Sequence, residues 1–67
     1  ALDQAIASLP AALKEPLVLT VLDGLTHKQA GELLGLSIKA VEVRVYRAKR
    51  ELALKLERDR LDDLLTG

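Results

Sequence analysis

The feature that most constrains the fold is a short break, Gly35-Leu36-Ser37, between two segments with helical sequence patterns. The segment before the break begins at Thr26, and Gln29 three residues later completes the pattern of a capping box. The segment after it begins with Ser37, a favourable N-cap residue, and continues without glycine or proline almost to the end of the chain. We therefore expect two helices joined by a tight turn over residues 26–50.

Gly31 lies inside the first of these two helices, where glycine costs about 1 kcal/mol relative to alanine. A packing requirement is the usual reason for keeping glycine at such a position. Gly31 precedes Gly35 by four residues, and a small residue at this spacing before the turn allows two helices to cross closely. The spacing predicts a helix-turn-helix over residues 26–50.

The rest of the chain also has helical patterns, because apolar residues recur three and four residues apart and no alternating run is long enough for a strand. We predict a first helix over residues 2–8 that ends before Pro10, and a second that Gly24 caps. Pro16 falls early in the second helix, where we expect a late start or a kink. The prediction is an all-α, four-helix domain over residues 1–67, with a helix-turn-helix and no wing.

Three of the predicted helices have an apolar face that we expect to point inward. The expected inward residues are Leu13, Leu17, Thr20, Val21 and Leu22 on the second helix, Ala30, Leu33 and Leu34 on the third, and Val41, Val45, Ala48 and Leu52 on the fourth. The leucines near the end, Leu54, Leu61, Leu64 and Leu65, fit two interpretations. They either pack back on the first helix or form a docking strip for a partner protein.

The net charge is zero, but the charges are unevenly distributed. Residues 1–36 contain four acidic and two basic side chains, residues 37–50 contain five basic and one acidic, and residues 51–67 contain five acidic and three basic. The corresponding net charges are −2, +4 and −2. A basic segment between acidic flanks attracts a phosphate backbone locally, whatever the total charge.

Composition excludes several classes of function. A domain of 67 residues buries only about 60% of its unfolded surface, which leaves little interior for an active site. There is no cysteine, one histidine and no grouping at metal-ligand spacing, so we expect no enzyme, metal, cofactor or small-molecule substrate. We expect no membrane-spanning run and no signal peptide, and the lack of cysteine fits a reducing cytoplasm. Because it does not begin with Met, we expect it to belong to a longer protein.

The fourth helix presents a face opposite its apolar stripe, and a helix-turn-helix places that face in the DNA major groove. That face presents Lys39, Glu42, Val43, Tyr46, Arg47 and Arg50. The residues predicted to contact phosphates are Lys28, at the start of the third helix, and Lys39, Arg44, Lys49 and Arg50. Arginine reads guanine through two hydrogen bonds, and basic side chains hold phosphates, so these residue types suit the two roles.

Several of these segments together resemble region 4 of bacterial sigma factors, particularly the extracytoplasmic-function group. They are Leu9-Pro10, Asp23-Gly24-Leu25-Thr26, Glu32-Leu33-Leu34-Gly35-Leu36-Ser37, and Val41 followed by Arg44 and Tyr46-Arg47-Ala48-Lys49-Arg50. The resemblance covers about residues 2–56. It implies a fold of the sigma region 4 type and binding to the promoter −35 element. Carried over by position, the resemblance implies that Glu42, Val43, Tyr46 and Arg47 face bases, while Lys39 and Arg44 hold phosphates. It also implies two protein partners, the β-subunit flap of RNA polymerase core and an anti-sigma factor.

Two positions depart from the sigma pattern. Glu42 stands where many members have lysine or arginine, and Val43 replaces a small hydroxyl residue. A carboxylate can accept a hydrogen bond from a cytosine amino group, and valine can contact a thymine methyl. Alternatively, Glu42 repels phosphates and marks altered or lost DNA binding.

Two other functions fit parts of the sequence. The output domain of a LuxR-type response regulator also combines an apolar helix, Gly-Leu-Thr and a helix-turn-helix, although the basic run Tyr46-Arg47-Ala48-Lys49-Arg50 favours a sigma factor. A sigma-like decoy that binds an anti-sigma factor without reading DNA would account for Glu42 and for the zero net charge.

Overall fold

The computed structural model describes the backbone of residues 2–66 and the side chains of residues 3–61, 64 and 65. Helix α1 spans Leu2–Ala7, α2 spans Ala11–Leu17 and continues as a π-helical segment over Val18–Leu22, α3 spans His27–Leu34, and α4 spans Ile38–Thr66. No strand occurs between residues 2 and 66, so the predicted all-α, four-helix fold without a wing is confirmed there. The predicted domain limits, Ala1 and Gly67, lie outside the described residues.

The late start considered for the second helix does not occur, because α2 begins at Ala11 and runs through Pro16; the helix changes to a π-helical segment two residues after the proline. Pro16 has no N–H to donate to the Ala12 carbonyl, the usual i−4 acceptor in an α-helix. A guanidinium N–H of Arg44 donates to that carbonyl instead, at 3.3 Å. The Thr20 hydroxyl donates to the Pro16 carbonyl at 2.8 Å, a type of side-chain bond that bends helices.

The inward placement predicted for Val21 and Leu22 is wrong, because these side chains are 53% and 62% exposed. A π-helical turn contains more residues than an α-helical turn, so the π-helical segment rotates its last residues away from the core. Leu19 packs against the core from this segment, and Leu17 is buried as predicted.

The boundaries of the helix-turn-helix follow the predicted caps. The Thr26 hydroxyl accepts from the Gln29 N–H at 3.0 Å, and the Gln29 side chain accepts from the Thr26 N–H at 2.9 Å. Gly35 ends α3 in the left-handed conformation, with φ of 69°. The Ser37 hydroxyl then accepts from the Ala40 N–H at 3.1 Å at the start of α4. These local bonds fix where both helices begin and end.

Gly31 has the packing role that its position in the helix predicts. A Cβ atom at Gly31 would lie 2.5 Å from the carbonyl oxygen of Leu36 and 3.5 Å from a methyl carbon of Val41. The Leu36 N–H donates to the Gly31 carbonyl at 2.8 Å. The turn therefore lies directly against α3, and only glycine leaves room for it.

The core forms where α2, α3 and the first half of α4 meet. It contains the predicted α4 residues Val41, Val45 and Ala48, together with Leu9, Leu17 and Ala30, and Leu52 packs at its edge. The inward placement predicted for Leu33 is wrong, because its side chain is 69% exposed. Ala30, Gly31 and Leu34 form the inward face of α3, and Leu33 lies on the flank of that face.

Helix α4 extends well beyond this core. Its 29 residues correspond to about 43 Å at 1.5 Å per residue, close to the 46 Å longest dimension of the molecule. The Lys55 ammonium of α4 donates a hydrogen bond to the hydroxyl of Ser8, the residue that follows α1, at 2.7 Å. Leu54, Leu61, Leu64 and Leu65 are exposed, so they do not pack back on α1. The docking-strip interpretation of these leucines stays a prediction.

Candidate nucleic-acid interface

The first three turns of α4 present one continuous exposed face. Because Val41, Val45 and Ala48 turn toward the core, the residues about half a turn away on the same helix point to solvent. These exposed residues are Lys39, Glu42, Val43, Tyr46, Arg47 and Arg50. All four residues predicted to face bases belong to this set.

Four of these residues line one shallow depression on the surface of α4, namely Lys39, Glu42, Val43 and Tyr46. The depression combines a cation, a carboxylate, two methyl groups and an aromatic ring. Tyr46 is 66% exposed although it is the chain's one aromatic residue, so it contributes little to the core. Arg47 lies one turn after Val43 on the same face. Hydrogen-bonding and apolar groups in such proximity match the mixed chemistry of base edges.

Glu42 lies between two basic side chains. Its Oε1 atom is 3.9 Å from Nδ1 of His27, the first residue of α3, and its Oε2 atom is 3.9 Å from Nζ of Lys39. The Glu42 side chain is 47% exposed. Sequence reasoning did not assign a role to His27, since 15 residues separate it from Glu42 in the chain and only the folded turn brings the two together.

A cleft between the beginning of α3 and α4 brings two predicted phosphate-binding residues together. Lys28 of α3 and Lys49 of α4 both line it, together with Thr26, His27 and Glu42. Both lysines are exposed. The N-terminal end of α3 adds the partial positive charge of a helix dipole. The cleft therefore has two ammonium groups available to an anion along the side of the exposed α4 face.

Arg44 differs from the other residues predicted to bind phosphates. It is half-buried, and its contact with the Ala12 carbonyl directs one guanidinium N–H toward α2. Lys28, Lys39, Lys49 and Arg50 are exposed. A guanidinium has five N–H donors, so four remain for other acceptors.

Neither a metal site nor a membrane-spanning helix occurs in the part of the chain that the structure describes. Among residues 3–61, 64 and 65, no three histidine or acidic side chains are grouped closely enough to hold a metal ion. Among the same residues, no helix has both the length and the apolar character needed to cross a membrane.

Comparison with known proteins places these features in a family. The model of the family "Sigma-70, region 4" matches residues 1–52, which include the whole helix-turn-helix. The RNA polymerase sigma factor CnrH of Cupriavidus metallidurans is 39% identical over 54 residues, which are 81% of this chain. The chain spans 28% of the length of that relative. No solved structure matches the chain significantly.

Proposed function

Because this chain belongs to the sigma-70 region 4 family, we propose that it binds the promoter −35 element as part of an RNA polymerase sigma factor and so directs transcription initiation. The family consists of non-enzymatic transcription regulators, and the family match favours a sigma factor over a LuxR-type output domain. The observation that carries the proposal is the exposed face of α4, where three of the six exposed residues, Lys39, Arg47 and Arg50, are basic, opposite the buried stripe of the same helix.

In this proposal the first turns of α4 enter the major groove. Val43, Tyr46 and Arg47 contact base edges together with Glu42, and Arg47 donates two hydrogen bonds to a guanine. The depression that joins Glu42, Val43 and Tyr46 supports this assignment, because the three side chains form one shared surface on α4.

Phosphate contacts flank the base-reading residues. We assign them to Lys28, Lys39, Lys49 and Arg50, and to the Arg44 donors that do not face Ala12. The shared cleft of Lys28 and Lys49 supports a phosphate position between α3 and α4. Such contacts set the register of the protein on the duplex.

The proposed protein partners are RNA polymerase core, through its β flap, and an anti-sigma factor, and the proposed location is the cytoplasm. An apolar groove lined by Val18, Leu19 and Leu34, with Lys14 and Glu15 at its edge, supports a protein contact. The groove lies between the π-helical segment and α3, so an apolar helix of a partner would find an apolar surface there.

The experiment measures fluorescence anisotropy of the full-length protein with RNA polymerase core, on a −35 duplex and on a scrambled duplex. We expect preference for the −35 duplex, and we expect Arg47→Ala to reduce it about tenfold through loss of a bidentate contact. Arg60→Ala is the matched control, since Arg60 is exposed on the same helix about four turns beyond Arg47 and loses the same charge.

Two results would contradict the proposal. Equal binding of both duplexes by the folded protein would favour the sigma-like decoy, and the search would move to an anti-sigma partner. If Arg47→Ala and Arg60→Ala reduce the preference for the −35 duplex equally, charge alone accounts for binding and the exposed face of α4 has no special role.

A further inference from the structure

Glu42 is the one acidic side chain on the exposed face of α4 between residues 37 and 50, where it faces a polyanion in the proposed complex. An isolated carboxylate there would weaken binding to every sequence by repelling phosphates. Its surroundings therefore decide whether it opposes DNA binding or contributes to it.

The structure pairs each carboxylate oxygen of Glu42 with a basic side chain. Lys39 lies 3.9 Å from one oxygen and offsets the negative charge, while His27 lies 3.9 Å from the other and bounds Glu42 on the side of α3. Both distances exceed hydrogen-bonding range, so the lone pairs of the carboxylate remain available to a third group. Because the Glu42 side chain is 47% exposed, such a group can reach the carboxylate from solvent.

The chemistry of base edges selects this third group. An ionised carboxylate only accepts hydrogen bonds. In the major groove guanine presents two acceptors, thymine presents an acceptor and a methyl group, and adenine presents an amino donor beside the N7 acceptor. Cytosine itself presents an amino donor and no acceptor, so it is the base whose major-groove edge best suits a carboxylate.

We infer that Glu42 makes this protein select a cytosine at one position of its DNA site, with Lys39 offsetting the charge of the carboxylate. The inference rests on the proposed promoter-binding function and adds to it the base that one side chain reads. It also explains how Glu42 can occupy a basic face without abolishing DNA binding.

The test sequences the bound fraction of a duplex library randomised across the −35 element, with the full-length protein and RNA polymerase core. We expect the unaltered protein to favour cytosine at one position by about tenfold. Glu42→Gln should move the preference at that position to adenine, because an amide accepts from N6 and donates to N7. Glu57→Gln, an exposed residue about four turns further along α4 with the same change in charge, should leave every preference unchanged.

The other positions of the library serve as an internal control for folding, since their preferences should be the same in all three proteins. Two outcomes would overturn the inference and leave the promoter-binding proposal standing. In one, Glu42→Gln retains the cytosine preference; in the other, the library shows clear base preferences but none of them is for cytosine. A library with no preference at any position would overturn both.

Discussion

Arg44 connects α4, the helix that we propose enters the major groove, to α2. Its guanidinium donates to the Ala12 carbonyl across 32 positions of sequence. That carbonyl lacks its usual helical donor because position 16 is proline, and Pro16 is itself fully buried. The arginine therefore supplies the hydrogen bond that the proline removes, and in doing so it ties α4 to α2.

This arrangement predicts an energetic coupling between Arg44 and Pro16. Arg44→Met keeps the length of the side chain and removes its donors, and we expect it to lower the free energy of unfolding by about 1 kcal/mol. In a Pro16→Ala background the chain regains a backbone N–H for the Ala12 carbonyl. There Arg44→Met should lower the free energy of unfolding by at least about 0.5 kcal/mol less than it does when position 16 is proline. Urea unfolding of the four proteins measures the coupling.

Arg47→Met is the matched control, because Arg47 is exposed on the same helix. It should leave the free energy of unfolding nearly unchanged in both backgrounds. If Arg44→Met lowers the free energy of unfolding by the same amount with proline and with alanine at position 16, Arg44 does not replace the hydrogen bond that Pro16 removes.

At the scale of elements, the joint between α3 and α4 depends on how closely the turn approaches Gly31. The Leu36 carbonyl occupies the space that a side chain would need, and the Leu36 N–H holds the turn in place through the Gly31 carbonyl. This contact sets the position of the α4 N-terminus relative to α3. It therefore also sets the relation between Lys28 on α3 and the exposed face of α4.

Gly31→Ala tests this joint. Helix propensity alone would stabilise α3 by about 1 kcal/mol. Because the added methyl group meets backbone rather than a flexible side chain, we expect a net loss of about 1–3 kcal/mol instead. Thermal or urea unfolding gives the sign, and the difference between Glu32→Gly and Glu32→Ala at the next, exposed position reports the glycine-to-alanine propensity effect alone. A more stable Gly31→Ala protein would show that the turn can move away without cost.

The elements that the sequence predicted well are those fixed by neighbouring residues. The Thr26 capping box, the Ser37 cap and the stripe of Val41 and Val45 each depend on residues three or four positions apart, and all are present. The placement of Leu33 was wrong because a spacing of three from Ala30 fits either edge of a helical face, and only the packing partner decides between them.

The errors in α2 and the omissions in the site have a different physical origin. The π-helical segment arises from Pro16 together with a threonine hydroxyl, and periodicity that assumes a regular α-helix misplaces Val21 and Leu22. The neighbours of Glu42 and Arg44 include residues distant in sequence, which no local pattern specifies. The roles of the individual DNA-facing residues stay predictions.

The whole molecule combines zero net charge with a strongly localised basic region. Residues 37–50 have a net charge of +4, and the acidic side chains that cancel it belong to the parts of the chain before and after them. At physiological salt, charges separated by more than about 8 Å are largely screened in solvent. The acidic residues on the projecting end of α4 therefore have little effect on a phosphate at Lys39 or Lys49, and the zero total does not argue against DNA binding.

This argument predicts that position rather than total charge determines how salt affects binding. In a plot of log K against log salt for the −35 duplex, each neutralised phosphate contributes about −0.9 to the slope. Lys49→Gln should therefore make the slope of the full-length protein with RNA polymerase core less steep by about 0.9. Arg60→Gln changes the net charge by the same amount on the projecting part of α4 and should leave the slope unchanged. Equal changes in the two variants would mean that the overall field of the protein governs binding, and the assignment of Lys49 to a phosphate would then fail.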